Sequence, residues 1–142
     1  MMFQSFNDVF PAIAEKETRI ITLLSNNKYG LPADSYLFVE LFCNDPKCDC
    51  RRAMFQVFSL SNNESLATIC WGWESASFYV KWLGLNDKEM IKELKGPALN
   101  TGSYQSAKAT ILLKLFSELL LPDAAFTMRV KEHYSTFKRK SK

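Results

Sequence analysis

The residues best suited to chemistry are three cysteines, Cys43, Cys48 and Cys50, which fall within eight residues of one another. They are followed directly by Arg51 and Arg52. An Asp-Pro pair between the first two cysteines favours a tight reversal, so the three sulfur atoms can converge. Thiolates are preferred ligands of Zn²⁺, and the two arginines would stabilise the negative charge of a three-thiolate zinc site. The pattern therefore predicts a zinc-binding cysteine cluster.

The sequence leaves the fourth ligand of such a site open. Cys70 lies on a later predicted strand, which in an antiparallel meander ends at the same edge of the sheet as Cys43. We therefore expect Cys70 as a fourth metal ligand, and its alternative role is that of a small buried hydrophobic residue. The other candidates for this position are Asp45, Asp49, His133 or water.

The same segment also suits a different chemistry. Arg51 and Arg52 would lower the pKa of a neighbouring thiol and make it more nucleophilic. Cys48 or Cys50 would then be the nucleophile of a thiol-dependent enzyme, or a three-cysteine zinc ion with an open position would serve a zinc-dependent enzyme. A structural or binding metal module and an enzyme thus both remain open. His133, the only histidine, is expected to be partly buried and hydrogen-bonded rather than part of a Cys–His pair.

The spacing of apolar residues predicts the elements that position these cysteines. Alternating and β-branched runs predict four strands, at residues 18–24, 36–42, 53–60 and 66–71. Short turns between the last three favour an antiparallel meander. A short helix is expected within residues 3–16. From Glu74 onward the spacing is helical, and helices are expected to end near Gly84 and Gly96 and to begin near Ser103 and at Pro122.

These elements together predict one α+β domain that spans residues 1–142. It consists of an antiparallel meander of three to four strands in the N-terminal half, packed against three to four C-terminal helices. Within it we expect an ion pair between Glu40 and Arg52 on adjacent strands. Asn86 and Glu89 resemble a capping box. The aromatic segment Trp71–Trp73 is expected to pack in the core, with its central glycine allowing a close approach.

Charge distribution and the lack of known motifs limit the classes of function. The chain has a net charge of +3, but residues 131–142 alone carry five basic residues and one acidic residue, so the other residues sum to −1. A basic tail on a nearly neutral body is a weak signal for nucleic acid. Phosphate-binding loops and the common hydrolase motifs are absent from the sequence. We therefore expect a protein or small-molecule partner rather than nucleic acid.

The apolar runs and the N-terminus favour a cytoplasmic protein. The longest apolar stretch, residues 109–121, is interrupted by polar residues and is shorter than a membrane span. The first residues lack the basic and apolar regions of a secretory signal. We therefore expect the cytoplasm and no membrane partner. In that reducing compartment, clustered cysteines more often bind metal or do thiol chemistry than form structural disulfides.

Several segments of the chain carry a resemblance to other proteins. They are residues 17–19, 31–34, 42–52 with the Cys-Asp-Cys-Arg-Arg turn, 67–75 with Gly-Trp-Glu-Ser, and the late pair His133-Tyr134. Together they resemble a group of uncharacterised bacterial proteins that share this turn and the Gly-Trp-Glu-Ser segment. The likeness spans most of the chain but implies no particular activity. The metal assignment therefore depends on the residues alone.

Overall fold

A computed structural model describes residues 2–141, and for Ser141 the backbone only. Its sheet is built from the strands β1 (Phe3–Ser5), β2 (Arg19–Leu23), β3 (Asp34–Cys43), β4 (Arg52–Ser59), β5 (Glu64–Gly72) and β6 (Ala98–Leu99). All neighbouring strands are antiparallel, in the order β1-β3-β4-β5-β6. Strand β2 lies on the same side of β3 as β1, because β1 pairs with residues 41–43 and β2 with residues 34–38. The predicted meander, β3 to β5, is confirmed.

The helices are α1 (Phe6–Val9), α2 (Pro11–Glu17), α3 (Ala76–Leu83), α4 (Lys88–Lys95), α5 (Ala109–Leu115) and α6 (Ala124–Ser141). Helix α5 continues directly into a turn of π-helix, Phe116–Leu120. The predicted α+β class is therefore confirmed. None of the helices in the described part of the chain combines the length and the apolarity needed to cross a bilayer.

The two faces of the sheet differ in burial. Every second side chain of β3, from Tyr36 to Phe42, is buried, whereas Leu37, Val39 and Leu41 on the opposite face are half-buried. The buried face packs against the layer of α5, the π-turn and α6, where the Phe55 and Phe116 rings lie 4.9 Å apart. This asymmetry places the main core between the sheet and the C-terminal helices.

One predicted helix begins later than the spacing indicated. The sequence predicts a start near Ser103, but α5 begins at Ala109. The Gln105 side chain accepts from the backbone N–H of Thr68 at 3.0 Å and donates to the same residue's carbonyl at 2.9 Å. The N–H of Ser106 donates to the carbonyl of Leu66 at 2.9 Å. These bonds to β5 hold the segment against the sheet, so it does not form a helical turn.

Two helix starts lie close to their predicted positions and use an aspartate. Helix α4 is capped by Asp87, whose carboxylate accepts the N–H groups of Glu89 and Met90, so the expected cap at Asn86 is wrong by one residue. Helix α6 begins at Ala124 rather than at Pro122, because the Asp123 carboxylate accepts from the next turn's N–H groups. An aspartate side chain satisfies the otherwise unpaired donors of a first helical turn.

Candidate cysteine site

The three clustered cysteines lie at one end of the sheet, on and between β3 and β4. Cys43 is the last residue of β3, and Cys50 comes just before β4; both are buried, whereas Cys48 is half-buried. The connecting loop turns at Asp45, whose carboxylate accepts the N–H of Lys47 at 3.0 Å and whose carbonyl accepts the N–H of Cys48 at 3.1 Å. The predicted reversal therefore forms and places the three thiols together.

The surroundings of Cys48 and Cys50 favour the neutral form of both thiols. Burial raises the pKa of Cys48 to about 12, together with hydrogen-bonding and charge interactions with the neighbouring thiols of Cys50 and Cys43. Burial also raises the pKa of Cys50, although Arg52 opposes this shift. The expected net lowering of the thiol pKa is thus wrong for Cys48 and Cys50, although Arg52 acts in that direction at Cys50. Desolvation of a thiolate outweighs the attraction of cations that are engaged with other partners.

The two guanidinium groups are engaged with partners outside the cluster of Cys43, Cys48 and Cys50. The Arg51 guanidinium donates to Asp49 Oδ2 at 3.0 Å, lies 3.4 Å from Glu74 Oε2, and sits 4.9 Å from the centre of the Phe78 ring. Arg52 is buried, and its Nε donates to the carbonyl of Leu94 in α4 at 2.6 Å. Each guanidinium therefore ties the end of the cysteine loop to a different neighbouring element.

The predicted ion pair between Glu40 and Arg52 is wrong. Glu40 lies opposite Phe55 in the β3–β4 register. Arg52 is three positions from Phe55, so it projects from the other face of the sheet. Glu40 instead faces the C-terminal helices and pairs with His133.

Helix α6 fixes the cysteine loop from one side. The Tyr134 hydroxyl accepts the N–H of Arg51 at 3.1 Å and donates to Asp49 Oδ1 at 2.9 Å. The buried Lys138 ammonium donates to the carbonyl of Cys43 at 2.7 Å. The helical spacing placed Tyr134 on the buried stripe of α6, but no sequence signal indicated which loop it or Lys138 would contact.

Helix α3 fixes the loop from another side. The Tyr79 hydroxyl donates to the carbonyl of Arg51 at 2.8 Å. This contact is possible because Gly72 has no side chain: a Cβ there would lie 2.2 Å from the Tyr79 oxygen. The close approach expected at Gly72 is therefore made by Tyr79.

Cys70 has different neighbours from the other three cysteines. It lies opposite Met54 on the face of the sheet away from α6, and its Sγ donates to Asn100 Oδ1 at 3.5 Å. Burial raises its pKa to about 11, while Arg52 opposes this shift. It has the surroundings of a small buried residue, and its role as a fourth ligand stays a prediction.

His133 is buried and hydrogen-bonded, as expected. Its Nδ1 lies 2.7 Å from Glu40 Oε1 and its Nε2 lies 2.7 Å from Glu17 Oε1. The imidazole also stacks on the Phe6 ring, with 4.3 Å between the ring centres. Both ring nitrogens are therefore engaged away from the cysteine loop.

The side chains as they stand do not form a metal site. Across residues 2–141, no group of three or more His, Cys, Asp or Glu side chains is arranged to hold a metal ion. Among the other candidate ligands, Asp49 already binds Tyr134 and Arg51. For Cys43, Cys48 and Cys50 to bind zinc, the thiols must lose their protons.

A surface depression of about 390 Å³ borders Cys48, with Lys47, Lys138 and Arg139 also on its wall. Cys48 is thus the thiol of the cluster that a reagent can reach from outside.

No protein-family model, curated protein or solved structure matches this chain.

Proposed function

We propose that Cys43, Cys48 and Cys50 bind a zinc ion, and that the protein is a small zinc-containing binding module of a reducing compartment, the cytoplasm. The observation that carries this proposal is the gathering of three thiols, two of them buried, in one anchored loop. Adjacent neutral thiols are the protonated form of a thiolate metal site, because zinc replaces their protons when it binds.

The raised thiol pKa values favour metal binding over nucleophilic catalysis. A catalytic cysteine needs a cation or a helix N-terminus that lowers its pKa. At Cys48 the surroundings act in the opposite direction, raising the pKa to about 12. Zn²⁺ is a much stronger local charge than an arginine and deprotonates a coordinating thiol outright.

The anchors of the loop determine what the metal would contribute. Tyr134, Lys138 and Tyr79 hold the loop through hydrogen bonds that do not involve the thiols. Zinc would therefore stabilise the connection between β3 and β4 rather than direct the folding of the whole chain. With Asp49 and His133 engaged, the fourth position would be open to water or to a ligand from a partner, unless Cys70 moves to fill it.

The test is zinc content after purification under reducing conditions, with Co²⁺ titration as a second readout. We expect about one zinc per chain and a thiolate-to-cobalt charge-transfer band. Cys48→Ser should lose both the zinc and the cobalt band, because it removes one of the proposed ligands. The variant should still fold, since Cys48 is half-buried and its replacement leaves the core intact. Cys70→Ala is the control: if it also loses zinc, Cys70 is the fourth ligand. Absence of metal and of the cobalt band in the wild-type protein would refute the proposal.

One observation favours the thiol-dependent enzyme as a second candidate. Cys48 faces a depression whose wall carries three basic residues, Lys47, Lys138 and Arg139, against one carboxylate, Asp49, and this excess of positive charge suits an anionic substrate. Alkylation of metal-free protein with iodoacetamide at neutral pH separates the two proposals. The raised pKa predicts slow modification of Cys48, slower than that of a free thiol. Fast, selective modification would favour the enzyme.

A further inference from the structure

A cleft between α3 and α4 combines an apolar floor with a cationic rim. Its volume is about 360 Å³, and it is lined by two groups of residues: apolar Ala76, Val80 and Ile91, and basic Lys88, Lys92 and Lys95. Asn86 and Gly96 complete the wall, so no carboxylate lines it. This volume lies within the range of small-molecule sites. The cleft has no residue in common with the cysteine site.

Across residues 2–140, no carboxylate forms an ion pair with the cations on the rim. Helix α4 also carries Glu89 and Glu93, yet in the described part of the chain neither forms an ion pair with Lys88 or Lys92. Lys95 is engaged only with a backbone carbonyl, that of Glu74, at 2.6 Å.

The spacing of these lysines is unfavourable for the isolated helix. Lys88, Lys92 and Lys95 lie at i, i+4 and i+7 on one face of α4, where like charges repel. A bound anion would remove this repulsion, because it would lie between the ammonium groups. The uncompensated charge therefore indicates the sign of a ligand.

We propose that this cleft binds a small amphiphilic anion, a carboxylate with an unbranched apolar chain. The chain would lie on Ala76, Val80 and Ile91, where burial of apolar surface supplies most of the affinity. The carboxylate would lie between the ammonium groups of Lys88 and Lys92. An apolar molecule without charge leaves the lysines unpaired, and an anion without an apolar part leaves Ala76 and Val80 in contact with water.

The experiment is a calorimetric titration of the full chain with decanoate below its micelle-forming concentration, with amide NMR shifts to map the site. We expect saturable binding and shifts on α3 and α4. Decylammonium has the same chain and the opposite charge, and acetate has the same head group without the chain. Neither should bind. Lys92→Glu should weaken decanoate binding at least tenfold, whereas Lys131→Glu, an exposed lysine on α6, should not.

Several outcomes would overturn the proposal. One is the absence of saturable decanoate binding; another is equal binding of decylammonium, which would reveal non-specific apolar association. Equal effects of Lys92→Glu and Lys131→Glu, or NMR shifts away from α3 and α4, would also contradict it. Binding of an acidic peptide without binding of decanoate would identify the cleft as a protein-docking site instead.

Discussion

At the scale of single residues, His133 is constrained by two carboxylates. A neutral imidazole has one N–H and one lone pair, so it cannot donate to both Glu40 and Glu17 at once. The imidazolium can, and the 2.7 Å distances on both sides suit it. Burial alone would lower the pKa of His133, but hydrogen bonds to Glu40 and Glu17 and their charges outweigh burial and raise it above 6.5. The same contact lowers the pKa of Glu17.

This arrangement predicts a pH-dependent stability. Because the pKa of His133 is higher in the folded protein, its stabilisation is fully present below the unfolded value of about 6.5 and is lost as the pH rises through the folded value. We expect the free energy of unfolding, measured with urea, to fall as the pH rises above about 6.5. His133→Gln should remove this fall, because the chain has no other histidine. An identical pH profile in the variant would contradict the assignment.

At the scale of elements, β5 and α3 approach so closely that Gly72 cannot carry a side chain. An added Cβ would lie 2.2 Å from the hydroxyl oxygen of Tyr79 and 2.6 Å from its Cζ. Tyr79 is fully buried, and its hydroxyl binds the carbonyl of Arg51 next to Cys50. The packing of α3 on β5 therefore also positions one end of the cysteine loop.

Gly72→Ala tests this connection. The methyl group should displace Tyr79 and break its bond to Arg51, at a cost of about 1–3 kcal/mol in the free energy of unfolding. The loosened loop should also let Cys48 react faster with iodoacetamide. Gly102→Ala is the matched control, since its nearest neighbour would be 3.8 Å away. A similar loss of stability in both variants would show that the close approach is unimportant.

At the scale of the whole molecule, the sheet and the C-terminal helices meet at Phe116 in the π-turn. Its ring is fully buried and lies 6.2 Å from the ring centre of Phe38, 4.9 Å from that of Phe55 and 6.1 Å from that of Phe126. It therefore joins β3, β4 and α6 in one aromatic cluster. The core therefore depends on Phe116 more than on Leu119, which lies in the same turn but is exposed.

Phe116→Ala should cost about 3–5 kcal/mol in the free energy of unfolding, because it leaves a cavity between the two layers. Leu119→Ala lies in the same turn but removes a side chain that is 39% exposed, and should cost less than about 1 kcal/mol. Chemical denaturation of both variants measures the difference. Equal costs would place the centre of the core elsewhere.

The α+β class of the fold and the position of the cysteine turn could be predicted from the amino-acid sequence. Runs of apolar, aromatic and β-branched residues predicted β3, β4 and β5. Because these runs lie close together along the chain, an antiparallel meander was the simplest topology. The close approach at Gly72 could also be predicted, because a glycine between two tryptophans at the end of a strand indicates that another group packs closely against the backbone.

The tertiary structure alone decided which groups meet. Glu40 pairs with His133, 93 residues away, because both project into the layer between sheet and helices. Tyr134 and Lys138 reach the cysteine loop because α6 packs across the end of β3. Periodicity shows which face of an element is buried but not what covers it. For the same reason the local sequence suggested activated thiols beside two arginines, whereas burial of the thiols and the engagement of those side chains with other partners favour the neutral form.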